Sequence, residues 1–240
     1  MRFDDAAVRL AKLSSAEGLP AGPDVLMPQF TDGRVRSLLD VPDTARPAAV
    51  LVLVFPDEGG LARLVLTERV TYDGYHSGEV SFPGGKAEPR DADAGATALR
   101  EAAEEVRLDV AAAGVSIVGM LERVWIPVSD YHITPVVALA ERSPALVADP
   151  LEVSRILTPP VATFLPDAPV EVVERTVRGW PLRYGGYRVD GLHVWGATAR
   201  ILGQLGAVLG GVPGGVPGGP VVGGAARFLR RPDGAPGSSK

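Results

Sequence analysis

The chain has 240 residues, of which 46% are hydrophobic and 22% are charged, and its formal net charge is −5. This length and apolar content suffice for one substantial globular domain with extensions. The acidic balance argues against a dedicated nucleic-acid binder, and the absence of cysteine excludes disulfides, thiolate catalysis and cysteine-ligated zinc. The first residues, MRFDDAAVRL, lack the apolar core of a signal peptide, and no apolar run reaches the roughly 18 residues of a membrane span. We therefore expect a cytoplasmic protein without a membrane partner.

The N-terminal segment is predicted to be an extension and not a domain of its own. Residues 3–14 have the pattern of a short amphipathic helix, with Asp4 and Asp5 near its positive end. Residues 15–47 are rich in Pro, Gly and Asp, with one candidate helical turn at Val35–Leu39. We expect residues 1–45 to pack onto the domain that follows.

The domain is predicted to begin with a β-hairpin. Ala48–Phe55 is a continuous apolar run typical of a buried strand, and Ala62–Thr67 is predicted to pair back on it. A polar loop, Glu68–Glu79, then leads into a short strand at Val80–Phe82 and a Pro-Gly-Gly turn.

The rest of the domain is predicted to alternate helices and strands. A helix is expected from about Asp93, a plausible N-cap, to Arg107. The strands predicted after it are Val115–Trp125, Ile133–Ala140, Val170–Val177 and Tyr187–Val189. The predicted helical or turn segments are Leu151–Ile156 and Pro159–Leu165, and the last helix is Val194–Leu205. Strands with interspersed helices in this order predict an α/β sandwich.

The composition changes abruptly at Gly206. Residues 206–240 repeat Gly, Pro and Val with the imperfect unit GGVP. Such a segment cannot bury enough surface to offset its ordering entropy. We therefore predict a domain at residues 46–205 and a flexible tail at 206–240.

Three acidic residues on the predicted helix suggest a metal site. Glu101, Glu104 and Glu105 fall within roughly a 100° arc of the helix surface. The opposite face is apolar and carries Leu99, Ala102, Ala103 and Val106. Because close carboxylates repel one another, something positive is expected among them. Oxygen ligands suit Mg²⁺ or Mn²⁺ better than zinc, although a solvated acidic face has the same pattern.

The context of these acids resembles the Nudix box, G-x5-E-x7-R-E-U-x-E-E-x-G-U, where U is a bulky aliphatic residue. The residues that carry the resemblance are Gly85, Asp91, Arg100, Glu101, Glu104 and Glu105. Asp91 stands where Glu is usual, one extra residue precedes Arg100, Ala102 is small for its position, and Arg107 replaces the glycine. The resemblance implies a Nudix-type α/β/α sandwich with a mixed β-sheet. It also implies Mg²⁺-dependent hydrolysis, with Mn²⁺ as the other ion, of a pyrophosphate bond in a nucleotide-containing small molecule.

The same resemblance assigns roles to individual residues. It implies a metal site formed by Gly85, through its carbonyl, with Glu101, Glu104 and Glu105. The residues that it implies for catalysis are Glu101, as shared ligand or water-activating base, Glu104 and Arg100. Arg100 is expected to brace the acids, together with Asp91.

A second resemblance is to the coenzyme A pyrophosphatase branch of that family. It rests on four segments: Leu66-Thr67, His76-Ser77-Gly78-Glu79-Val80-Ser81-Phe82-Pro83-Gly84-Gly85, Ile126-Pro127 through Thr134-Pro135-Val136-Val137, and Trp195-Gly196-Ala197-Thr198-Ala199-Arg200. It implies cleavage of coenzyme A or acyl-coenzyme A to 3′,5′-ADP and (acyl-)4′-phosphopantetheine. The residues that it implies near the substrate phosphates are Arg69, His76 and Lys86.

Two other functions remain open from the sequence. Gly74 stands where the branch commonly has Arg, which favours ADP-ribose or another nucleoside diphosphate derivative as the substrate. A non-catalytic nucleotide-binding module is the alternative of a different class, but the box carboxylates are all present.

Overall fold

The computed structural model describes residues 1–15, 18–31, 42–71, 78–126, 129–177 and 179–211. The candidate turn Val35–Leu39, the predicted site residue His76, its neighbour Gly74 and the tail from residue 212 onward lie outside these ranges.

The helices and strands alternate through most of the described chain. The helices are α1 (Phe3–Leu10), α2 (Ala94–Val106), α3 (Val110–Ala113) and α4 (Gly196–Gly210). Short 3₁₀ segments occur at Ala11–Ser15, Asp24–Leu26 and Val161–Phe164. The strands are β1 (Gln29–Phe30), β2 (Arg46–Pro56), β3 (Ala62–Leu64), β4 (Leu66–Arg69), β5 (Val80–Ser81), β6 (Gly84–Lys86), β7 (Val115–Met120), β8 (Val124–Ile126), β9 (Tyr131–Ala140), β10 (Val153–Leu157), β11 (Glu171–Val177), β12 (Trp180–Val189) and β13 (Leu192–Val194).

The central sheet is mixed and is built around β2. This strand pairs in parallel with β9 on one side and antiparallel with β3 and β6 on the other. β9 in turn pairs antiparallel with β7 and β8. Because β2 lies inside the sheet and is covered on both faces, its sequence is continuously apolar, as predicted.

Helices cover both faces of this sheet. On one face, alternate β2 residues such as Ala49 and Leu51 pack against Ala98 and Ala102 of α2. On the other face, the intervening β2 residues pack in a cluster that includes Leu10 of α1 and Leu202, Leu205 and Leu209 of α4. The predicted α/β/α sandwich with a mixed sheet is confirmed, and α1 packs onto the domain as expected.

Two smaller sheets complete the fold. β4 lies between β10 and β5, and β12 lies between β1 and β11 with β13 on its C-terminal part. The predicted second strand of the hairpin, Ala62–Thr67, is therefore two strands that divide at Val65. β3 pairs with β2 as expected, whereas β4 turns away to join the three-stranded sheet.

One predicted segment has the wrong secondary structure. Leu151–Ile156 was predicted as helix or turn, but Val153–Leu157 forms strand β10. Val153 and Leu157 are buried and the strand pairs with the edge of β4, so a tertiary contact decides its conformation. The predicted strand Val115–Trp125 is likewise two strands, β7 and β8, both paired with β9.

The last helix is longer than predicted. α4 continues to Gly210, so five residues that composition assigned to the tail are helical. Ala207 and Leu209 are buried there, and Gly206 packs so closely on the Phe164 carbonyl that a side chain would not fit. No helix among the described residues is long and apolar enough to cross a membrane.

Candidate active site

The acidic residues are positioned by α2. The helix begins at an N-cap, Asp93, whose Oδ1 accepts a hydrogen bond of 2.8 Å from the Ala96 amide. Its small residues Ala98 and Ala102 are completely buried against the central sheet. Because Ala98 and Ala102 are small, this part of the helix can lie close to the strands, and Glu101 and Glu105 are held beside β6.

Asp91 and Arg100 join the loop before α2 to the helix itself. Arg100 Nε and Nη2 donate to Asp91 Oδ1 and Oδ2, each at 3.0 Å. Thr97 Oγ1 and the Glu88 amide also donate to Asp91 Oδ2, both at 2.9 Å. The hydrogen bonds from Arg100 hold the pKa of Asp91 well below its usual range. Asp91 is therefore a charged partner of Arg100 inside the loop.

Arg100 is also the positive charge expected among the acids. Its Nη1 donates to Glu101 Oε1 at 3.0 Å and to Glu104 Oε2 at 3.1 Å. Its Nη2 donates to the Lys86 carbonyl at 3.0 Å, which links the helix to β6. The hydrogen bond to Asp91 is the main cause of a raised Arg100 pKa, so the guanidinium is permanently charged.

Glu101 lies directly over Gly85. A Cβ added to Gly85 would lie 2.6 Å from Glu101 Oε1, so any other residue at this position would displace the carboxylate. Burial raises the pKa of Glu101, against the lowering effect of Arg100. The result is a half-buried carboxylate held against a strand backbone with no intervening side chain.

Glu105 is the most buried acid of the set, with 3% of its side chain exposed. Its Oε2 accepts a hydrogen bond from the Gly84 amide at 3.3 Å, and its Oε1 lies 3.6 Å from Arg69 Nη1. Burial is the largest effect on this carboxyl and raises its pKa to about 7.

Two residues from outside α2 complete the site. Arg69, at the end of β4, reaches Glu105, and its buried Nε has no hydrogen-bond partner within the described part of the chain. Glu152 precedes β10, and its carbonyl accepts from the Val70 amide at 3.0 Å. The negative charge of Glu152 contributes to the raised pKa of both Glu101 and Glu105. Glu152 was not among the predicted site residues, because it lies in the segment predicted as helix or turn.

The predicted site residues are therefore mostly gathered in one place. Gly85, Arg100, Glu101, Glu104, Glu105 and Arg69 lie together, whereas the exposed Lys86 meets Arg100 through its carbonyl. Glu104 is exposed and is shared between Arg100 and Arg90.

As the side chains stand, no three Asp, Glu or His residues in the described ranges converge on a point that would hold a metal ion. The types of donor nevertheless fit a hard divalent cation, since all are oxygens. The space at Gly85 also fits a cation, because glycine places no side chain beside the Glu101 carboxylate.

Comparison with known proteins identifies the class to which this fold and site belong. A family model described as the NUDIX domain matches residues 45–171, more than half of the chain, and the chain belongs to the Nudix family. It is 37% identical over 172 residues to Nudix hydrolase 15, mitochondrial, of Arabidopsis thaliana, covering 67% of this chain and 58% of that protein. It is 36% identical over 167 residues to the uncharacterized Nudix hydrolase NudL of Escherichia coli (strain K12), covering 67% and 81%.

The lengths of these relatives differ. The chain spans less than two thirds of Nudix hydrolase 15 and, at 57%, of Nudix hydrolase 22, chloroplastic, also from Arabidopsis thaliana. Among solved structures, the Nudix hydrolase RenU from M. smegmatis aligns with a TM-score of 0.42 and 19% identity, covering 59% of this chain and 82% of that one. The family assignment rests on the sequence matches.

Proposed function

We propose that the protein is a divalent-metal-dependent hydrolase that cleaves the pyrophosphate bond of a nucleoside diphosphate derivative in the cytoplasm. The observation that carries this proposal is the gathering of Glu101, Glu105 and Arg69 around the Gly84–Gly85 backbone. Carboxylates and a guanidinium beside a backbone without side chains suit an anionic substrate that arrives with a cation.

The metal would be held by Glu101, Glu104 and Glu105 with the Gly85 carbonyl. When bound, Mg²⁺ or Mn²⁺ neutralises charge on the pyrophosphate oxygens and so favours attack by water. Holding it requires Glu104 to turn from Arg90 and Arg100 toward Glu101.

The protein residues would divide the remaining work. Arg100 keeps Glu101 in place while Asp91 keeps Arg100 in place. Arg69 Nε, which has no hydrogen-bond partner among the described residues, would donate a hydrogen bond to a phosphate oxygen. Glu101 and Glu152 are the candidates to accept a proton from the attacking water, and we favour Glu101 because Arg100 holds its carboxylate over Gly85.

For the substrate we propose coenzyme A or acyl-coenzyme A. The support is the sequence that enters β6, in which Phe82 is buried and Gly84 and Gly85 border the acids. The segment from Trp195 to Arg200 gives this substrate less support. Arg200 is buried and donates a hydrogen bond to the Gly22 carbonyl at 3.1 Å, so its role is in packing. ADP-ribose is the second candidate, favoured by Gly74 in place of the usual arginine.

A substrate panel tests the proposal. The protein is incubated with Mg²⁺ and coenzyme A, acetyl-coenzyme A, ADP-ribose, NADH or diadenosine polyphosphates, and the products are separated by chromatography. Release of 3′,5′-ADP from the coenzyme A compounds is expected. Cleavage of ADP-ribose but not coenzyme A would support the second candidate, and tight nucleotide binding without turnover would indicate a binding module.

A further inference from the structure

A row of paired residues crosses the central sheet beside the acidic site. Trp125 of β8 pairs with His132 of β9, and His132 pairs with Pro47 of β2. The row continues to Ala87, whose amide donates to the Pro47 carbonyl at 3.0 Å. The next row toward α2 contains Ala49 and Gly85, which are also paired.

Strand alternation places this row on the α2 face of the sheet. Residues two apart in a strand share a face, so Pro47 lies on the face of Ala49, which packs against α2. His132 shares its face with Val136, which packs in the same cluster. Trp125 alternates with Val124 and Ile126, and both pack on the opposite side of the sheet. Trp125 and His132 therefore share the sheet face on which Glu101 lies over Gly85.

The row that contains Trp125 and His132 is exposed to solvent, whereas the neighbouring row that contains Ala49 is buried. Ala49 is completely buried, whereas Pro47 is exposed and both Trp125 and His132 are partly exposed. The cover provided by α2 thus ends between the two rows. His132 lies two strand spacings across the sheet from Gly85 and two residues along it, which is a distance of about 12 Å. The base and the terminal phosphate of a nucleoside diphosphate can be separated by a similar distance.

The side chains on this row are suited to a flat heterocycle. Trp125 offers an indole plane, and its Nε1 donates to Asp130 Oδ1 at 3.3 Å, which orients the ring. Burial, assisted by the charge of Arg123, lowers the pKa of His132, so its imidazole is neutral at neutral pH. An indole ring and a neutral imidazole can both stack on a nucleobase, and neither carries a charge that would have to be desolvated on binding.

We propose that Trp125 and His132 form the subsite that binds the base of the nucleoside diphosphate substrate. This proposal rests on the function proposed above. It adds that the nucleoside of the substrate lies across β9, with the phosphates directed toward Gly85. It also predicts that recognition of the base is separate from recognition of the phosphates.

Binding measurements with ADP and with inorganic pyrophosphate test this separation, because pyrophosphate lacks the base. In the presence of Mg²⁺, Trp125→Ala is expected to weaken ADP binding by about 5- to 150-fold, the range of one lost base–aromatic stack. Pyrophosphate affinity should stay within about twofold of the unmodified chain, which also shows that the variant is folded. Tyr131→Ala is the matched control, since Tyr131 neighbours His132 on β9, faces the other side of the sheet and lies under Arg46.

Fluorescence supplies an independent readout that does not depend on the alanine variant folding. ADP is expected to quench tryptophan fluorescence in the unmodified chain, and Trp125→Phe should retain ADP binding but lose that quenching. Unchanged ADP affinity in Trp125→Ala, or quenching that persists in Trp125→Phe, would overturn the proposal. If the chain hydrolyses no compound of the panel, the proposed activity is wrong, yet the ADP and pyrophosphate comparison still decides whether the base binds here.

Discussion

At the scale of single residues, Arg100 occupies two roles that conflict when a metal binds. Its guanidinium donates hydrogen bonds to Glu101 and Glu104, which are two of the carboxylates that we propose as metal ligands. Its hydrogen bonds to Asp91 and to the Lys86 carbonyl are independent of those acids. When Glu104 turns away, Arg100 still donates hydrogen bonds to Asp91, Glu101 and the Lys86 carbonyl. Arg100 can therefore release Glu104 and keep its own position.

Neutral isosteres test whether the acids serve the reaction or only the fold. Glu101→Gln and Glu104→Gln are each expected to lower turnover by orders of magnitude while leaving the melting temperature nearly unchanged, because shape is kept and charge is lost. Steady-state kinetics with Mg²⁺ measures the first effect and thermal unfolding the second. Glu174→Gln, an exposed residue of β11, is the control. Near-full rates in both variants would show that the metal-site assignment is wrong.

The titration of Glu105 gives a pH-dependent prediction. Burial raises its pKa from 4.5 to about 7, so the folded chain holds this proton where the unfolded chain has lost it. The stability that this contributes is fully present below pH 4.5 and is lost as the pH rises through 7. The melting temperature of the metal-free protein should therefore fall as the pH is raised from about 5 to about 8, and Glu105→Gln should reduce the fall.

Added Mg²⁺ should act in the opposite direction, since it requires the ionised carboxylate. Its stabilising effect is expected to be larger at about pH 8 than at about pH 5. A Mg²⁺ effect that is the same at both pH values would remove Glu105 from the proposed ligands.

At the scale of elements, the end of α2 departs from ideal geometry. Arg107 has φ 54° and ψ 36°, a left-handed conformation that glycine adopts at no steric cost and that is unfavourable for arginine. This is the position at which the Nudix box has glycine. Its ion pair with Asp149 is long, at 3.5 Å, and exposed, so it offsets little of that cost.

Arg107→Gly is therefore expected to stabilise the protein by about 0.5–1 kcal/mol, after the larger entropy of glycine in the unfolded chain is subtracted. Chemical denaturation measures the change. Arg107→Ala is the control, because it removes the ion pair and keeps the strain, and it should be neutral or slightly destabilising. Destabilisation by glycine would mean that the ion pair matters more than the backbone.

The elements also show what could be predicted from the sequence. β2 was predicted to within two residues and α2 to within one residue at each end, because each carries its own signal: a continuous apolar run in β2, and an N-cap with a one-sided apolar stripe in α2. β10 was not, because its five residues become a strand only where the edge of β4 is free to pair. Glu152 was missed for the same reason. Arg69 was a candidate from resemblance alone, and its contact with Glu105 needed the turn of β4 away from β3.

At the scale of the whole molecule, α1 and α4 close the sandwich together. Arg9 Nη1 of α1 donates to the Leu209 carbonyl near the end of α4, and the Leu10 and Leu209 side chains are completely buried. α1 and the last turn of α4 therefore pack together, and we propose that the domain extends beyond residue 205.

Two truncations test this boundary. A chain that ends at Gly211 is expected to unfold like the full chain, because it removes only residues whose composition predicts a flexible tail. A chain that ends at Leu205 loses the buried Ala207 and Leu209 and should be destabilised by about 2–5 kcal/mol. Denaturant titration of both measures the difference. If the two truncated chains were equally stable, the domain would end before residue 206, as composition predicted.

The ion pair between Asp91 and Arg100 has a consequence for how such sites are found. Asp is one methylene shorter than the usual Glu, and the loop to Arg100 is one residue longer, yet both carboxylate oxygens still meet the guanidinium. We infer that the shorter acid and the longer loop compensate each other, so that Asp91→Glu alone would crowd the contact with Arg100. A search pattern that requires Glu at a fixed spacing before the arginine would reject this chain at both of these points. A pattern that requires an acid able to reach the arginine from the loop would accept it.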